Sequence, residues 1–163
     1  MEKIYKIDDI SMRKNKMKIC YIMIGIPGSG KSTWLRNNAS QNIKICSADN
    51  YFCKNGSYDF KVEKLGEAHK ESIRLFIESC QSGNDVAVDN TNTTIAEIAP
   101  YYAIANAYGY SVKFVRVSCL PEKAAARNVH NVPVSKVLDI AKRLNTLKLP
   151  TFWQFETINV NNS

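Results

Sequence analysis

Residues Gly25-Ile26-Pro27-Gly28-Ser29-Gly30-Lys31-Ser32 follow the spacing G-x-x-x-x-G-K-[ST] of a loop that cradles phosphates. Glycines at 25, 28 and 30 allow successive backbone amides to turn toward an anion, and a helix opening at Lys31 adds its partial positive charge. In that arrangement Lys31 reaches the β- and γ-phosphates and the Ser32 hydroxyl ligates magnesium, with Pro27, Ser29 and Thr33 also lining the cradle. The implied cofactors are ATP, or another nucleoside triphosphate, and Mg2+.

Two aspartates follow apolar runs. Asp49 lies in Cys46-Ser47-Ala48-Asp49-Asn50-Tyr51-Phe52. At the carboxyl end of a strand it projects toward the γ-phosphate, where a carboxylate can take the proton of an attacking hydroxyl; a turn or helix-capping role is the alternative. Tyr51 and Phe52 could stack a base, although aromatics beside a strand end more often join the core. Asp89 opens Asp89-Asn90-Thr91-Asn92-Thr93-Thr94 and occupies the place of an acidic residue that holds metal-bound water and steadies Ser32. Asn90, Thr91 and Asn92 suit the sugar or phosphate of an acceptor, or else a turn; Thr93 and Thr94 read as turn and cap. Hydrolases of this kind place a glutamate after such an aspartate to activate water, and here Asn90 stands there. The guanine-reading N-K-x-D is also absent. Both features favour transfer to a hydroxyl over hydrolysis. Downstream, Arg127 can neutralise charge that grows on a transferring phosphoryl group. Lys142 and Arg143 could touch either the nucleotide or the acceptor backbone, and a solvated face explains them equally well.

Strands and helices must hold these groups in place. The run from Lys18 to Gly25 is apolar throughout, as a parallel strand covered on both faces is, and Ile43–Ser47, Asp85–Asp89 and Ser111–Ser118 are further strand candidates. Helical periods fill Lys64–Ser82 and Ile95–Tyr108, each stopped by a glycine, with Pro100 near a helix start or between two short helices. Strands alternating with helices predict an α/β fold: a parallel sheet of four to five strands covered by helices on both faces. Pro121–Asn128 and Val134–Leu147 read as two basic helices forming a lid at about 121–147, and Phe155–Val160 as a last short strand.

The chain of 163 residues is long enough for one domain with a real core. Residues 1–17 read as a basic leader, flexible or loosely packed, and 18–163 as the domain. No signal peptide and no membrane-length apolar run is found. Five scattered cysteines without a C-x-x-C pair argue for an intracellular, reducing compartment, cytoplasmic or nuclear. The net charge is +7, and residues 113–148 carry eight basic and two acidic side chains against six and nine in 44–100. A basic segment beside a more acidic body suits a polyanionic partner such as nucleic acid, as well as solvated helix faces.

Taken together, these residues resemble the kinase domain of the 5′-polynucleotide kinase family of P-loop phosphotransferases, over about Lys18 to Leu147. GIPGSGKSTW resembles that family's phosphate loop, SADNYF its second-strand motif, DNTN with the following YGY its third-strand region, and RN followed by VP its lid. DNYF, YDF and LGEAH are closer still to the related kinase-like domains of eukaryotic ubiquitin-ligase-binding proteins. The resemblance implies a P-loop kinase fold, ATP-dependent phosphorylation of a 5′-hydroxyl on an RNA or DNA end, Asp49 as general base and Arg127 on phosphate. In that pattern an arginine follows the base by three residues, where Phe52 stands here, and a second lid arginine falls where Asn131 stands. A small-molecule or nucleoside kinase and a nucleotide-binding module without transfer are the alternatives. Nothing resembles the phosphatase or ligase domains that accompany some family members, so the kinase is expected to stand alone.

Overall fold

A computed structural model describes residues 17–163, Val129 and the side chain of Lys54 excepted; the expected leader lies almost wholly outside the described residues. Five parallel strands form the central sheet: β1 (Ile19–Ile24), β2 (Lys44–Cys46), β5 (Val86–Val88), β6 (Ser111–Ser118) and β7 (Glu156–Asn161), in the order β2-β5-β1-β6-β7. Side chains alternate across β1 as its pleat requires. Cys20, Ile22 and Ile24 enter the core under α2 (Leu65–Gln81) and α3 (Ile95–Ala107), while Met23 joins Leu35 of α1 (Lys31–Asn38) on the opposite face. Strand β6 divides the same way, Val112 and Phe114 to the first core and Val115 and Val117 to the second. The predicted sandwich of helices about a parallel sheet is therefore present.

Pro100 interrupts nothing: α3 runs unbroken through it. Proline removes one backbone donor from the helix, but burial of Ile98, Tyr101, Tyr102 and Ala105 on the sheet side holds the turns on either side. The start of α3 is fixed by Thr94, whose hydroxyl accepts from Glu97 N while the Glu97 carboxylate accepts from Thr94 N, a reciprocal cap. Strand β7 is held to β6 in a register that sets Lys113 opposite Glu156, and the two side chains form a 2.9 Å ion pair.

Two pieces are added to the sheet. A short hairpin, β3 (Cys53–Lys54) and β4 (Ser57–Tyr58), follows the 3-10 turn Ala48–Phe52. Helices α4 (Pro121–Arg127) and α5 (Val134–Thr146) pack on the phosphate loop through one apolar cluster of Ile26, Ala124, Val137 and Ile140. Cys20, Cys46 and Cys80 are buried and unpaired, and burial pushes the Cys46 thiol up to about 11, which makes it a packing group instead of a nucleophile. Among the described residues no helix is long and apolar enough to cross a membrane.

Candidate active site

The sheet reverses its strand order at β1, and ligands of such sheets gather in the crevice beyond the strand ends at that point. There β1 passes into the glycine loop and α1. Gly30, at φ 103°, is the N-cap residue of α1 and supplies no side-chain cap, so the first turn leaves its amides to an outside acceptor. Gly28 has φ 78°, and a Cβ there would sit 2.0 Å from the Ala124 carbonyl oxygen, which is how closely α4 presses on the loop. From the other side, Asn162 beyond β7 donates from Nδ2 to the Ser29 carbonyl at 2.8 Å. Ser29 Oγ is buried without a hydrogen-bond partner among the described residues.

Lys31 is 9% exposed, and its Nζ donates at 3.0 Å to the carbonyls of Gly25 and Ile26. Burial holds its pKa below the ordinary lysine value, with the carboxylates of Asp89 and Asp49 pulling it back up. Ser32 Oγ donates to Asp89 Oδ2 at 2.6 Å. A hydroxyl and a carboxylate already joined suit a hard cation that takes its remaining ligands from phosphate and water. An orphaned buried hydroxyl, uncapped helix amides and this pair are a donor set that fits a magnesium-bound triphosphate. Among the described residues no cluster of three His, Cys, Asp or Glu side chains offers a second kind of metal site.

Asp49 sits in the 3-10 turn after β2, where Ser47 Oγ accepts from its backbone amide at 3.2 Å. Its carboxylate is half exposed and touches two groups that sequence reasoning missed. Tyr58 Oη donates to Oδ1 at 3.1 Å, and His130 Nε2 stands 3.8 Å from Oδ2. Arg127, at the end of α4, is exposed and makes no ion pair with another described residue.

Two of the expected acceptor residues, Phe52 and Asn92, are buried in the scaffold instead. Phe52 is 4% exposed and packs with Ala48, Ala68, Tyr51 and Tyr58; the turn that carries Asp49 has to be pinned to α2, and this ring does it. Asn92 is 2% exposed at φ 51°, its Nδ2 donating to the Met23 carbonyl at 2.6 Å, so it ties the loop after β5 to β1. Asn90 Oδ1 accepts from Ala48 N at 2.9 Å, bracing the Asp49 turn from behind. Thr91 is half-buried and its carbonyl accepts from Gly25 N at 3.2 Å. Tyr51 is half-buried, with its hydroxyl donating to Glu67 at 2.6 Å.

Comparison with known proteins agrees with this fold. The AAA domain family matches residues 21–137. Human NEDD4-binding protein 2 is 34% identical over 126 residues, which make up 73% of this chain; the chain spans only 7% of that protein's length. A chain of the Pnkp1/Rnl/Hen1 RNA repair complex superposes with TM-score 0.66 at 18% identity, over 80% of this chain and 45% of that one. A sugar kinase from Janibacter sp. HTCC2649 superposes with TM-score 0.61 at 15% identity, over 88% and 85%. At such identities the structures establish a shared P-loop kinase-like fold and nothing finer.

Proposed function

Because this chain belongs to the AAA domain family and has a P-loop kinase-like fold, we propose that it transfers the γ-phosphoryl group of ATP to the 5′-hydroxyl of an RNA or DNA end. The observation that carries this reading is that Asp49 and Asp89 follow the neighbouring strands β2 and β5, and β5 pairs with β1, the strand that leads into the glycine loop and its buried Lys31. One carboxylate is already engaged with the Ser32 hydroxyl on the metal side; the other is half exposed on the acceptor side. Residues 18–163 then act as one kinase domain, with 121–147 as its lid.

The loop amides and Lys31 hold the β- and γ-phosphates, Lys31 exchanging its two carbonyl partners for phosphate oxygens. Magnesium, when bound, neutralises phosphate charge, and Ser32 and Asp89 are the residues that would hold it, Asp89 through water. As the acceptor oxygen bonds to the γ-phosphorus, the bond to the β–γ bridging oxygen breaks and Asp49 accepts the hydroxyl proton. Arg127, exposed at the lid edge, offers its guanidinium to the transferring oxygens. The basic surface of residues 113–148 supports a nucleic-acid acceptor. An acceptor as small as a nucleoside is a second reading, favoured by the burial of Phe52, which leaves no cation at that position for an acceptor phosphate.

The test is a transfer assay with labelled ATP, magnesium and a panel of 5′-hydroxyl RNA, DNA and nucleosides. Label on oligonucleotides supports the proposal, label on nucleosides alone supports the second reading, and ATP binding without transfer overturns both. Asp49→Asn should reduce transfer by about 100-fold or more with ATP affinity nearly unchanged; retained turnover removes Asp49 from the base role.

A further inference from the structure

We propose that Tyr58 and His130 are positioning residues for Asp49, the phenol fixing one carboxylate oxygen and the imidazole standing against the other, so that the base is aligned when the turn between α4 and α5 is docked. The proposal rests on the reading of Asp49 as the base and deepens it.

Three segments meet at this carboxylate, one of them far along the chain. Asp49 itself is set by the 3-10 turn and its Ser47 cap. Tyr58 comes from β4 and is aimed by the hairpin: Asp59 N donates to the Phe52 carbonyl at 3.0 Å, and the Tyr58 ring meets the buried Phe52 ring edge-on at 6.2 Å. His130 comes from the turn between the last two helices. Asn128 ties that turn across itself, Oδ1 accepting from His130 N at 3.1 Å and Nδ2 donating to the Val132 carbonyl at 2.9 Å, with Asn131 at φ 52° completing the reversal. The Tyr58 and His130 rings then lie 4.4 Å apart at 37°, against each other and beside Asp49.

A carboxylate on a short turn rotates easily, yet a general base must offer one oxygen lone pair along the hydroxyl's O–H direction. A donor held on Oδ1 fixes the carboxylate plane and leaves Oδ2 to receive the proton. Burial, reinforced by the Asp49 charge, pushes the Tyr58 phenol far above its ordinary range, so it remains a donor at any working pH. His130 contributes differently. It borders Oδ2, the oxygen that Tyr58 leaves open, and it comes from the turn between α4 and α5, so this side of the base is bounded by a separate segment. The two rings support each other through their tilted contact, which makes the contributions of the two residues interdependent.

Kinetics and an activity-independent probe test this together. Tyr58→Phe and His130→Ala should each lower kcat about tenfold at unchanged KM for ATP and unchanged melting temperature, and the double variant should lose about the same tenfold instead of a hundredfold. His130→Gln, which restores an N–H near the same place, should recover most of the loss. Additive losses, no loss in kcat, or a rise in ATP KM in step with lost thermal stability overturn the proposal. The chain has two histidines, so the ring resonances of His130 are assignable by one substitution. Tyr58→Leu should move them in the proton NMR spectrum of the protein without nucleotide, and unmoved resonances overturn the proposal whether or not transfer is detected. Should Asp49→Asn be inactive while Tyr58→Phe and His130→Ala keep full kcat, this inference fails and the assignment of the base stands; turnover by Asp49→Asn defeats the base reading itself.

Discussion

Ser32 Oγ donates a 2.6 Å hydrogen bond to Asp89 Oδ2, linking the first turn of α1 to the end of β5. The hydroxyl and carboxylate are thus already arranged as residues that would hold a magnesium ion beside bound phosphate.

Asp89→Asn keeps the size and a hydrogen-bonding oxygen but removes the charge. It should lower magnesium-dependent ATP affinity by about tenfold or more and leave binding of ATP without magnesium nearly unchanged. Calorimetric titrations with and without magnesium check the difference.

Lys31 gives a pH signature of opposite sign in the empty and loaded protein. With its pKa held down by burial in the folded state, the unfolded chain binds more protons between that lowered value and the ordinary lysine range. Stability without ligand should therefore rise with pH through this window, while ATP affinity, which needs the ammonium, should fall. Melting curves across neutral to alkaline pH, with and without ATP, read both slopes, and Lys31→Met should flatten both.

Gly28→Ala should be poorly tolerated. The position has φ 78°, and the new methyl would meet the Ala124 main chain at 2.0 Å, a neighbour that cannot rotate away. A loss of about 2–4 kcal/mol in denaturant unfolding is expected, together with loss of nucleotide binding.

Phe52→Arg tests whether an arginine can be returned to the place the family resemblance assigns to one. With Phe52 4% exposed among Ala48 and Ala68, the change empties a ring site and buries a charge there. Destabilisation of about 3–5 kcal/mol is expected in urea unfolding, with no gain in acceptor KM.

The sheet was legible because its signals are local. The apolar run of β1, the glycine loop behind it and the alternation of β6 each follow from a few neighbouring residues. The leaning of Phe52 toward the core was legible too; the burial of Asn92 was not, since it depends on a partner far along the chain, the Met23 carbonyl on β1. One missed element did announce itself. Asn55-Gly56, with φ 51° and 78°, is the dipeptide that favours a two-residue hairpin turn, and it produces β3 and β4 and thereby the placement of Tyr58. His130 carried no such mark, because its proximity to Asp49 arises from a turn 81 residues downstream.

The apolar cluster that unites Ile26 with Ala124, Val137 and Ile140 makes α4 part of the nucleotide cradle's foundation. Swinging both helices outward would expose that hydrocarbon seam and loosen the loop beneath the phosphates, at a cost of about 25 cal/mol for every Å2 of apolar surface wetted. Helices α4 and α5 are therefore held as part of the loop's floor, and the Asn128-clasped bend is anchored to the same seam through Val132.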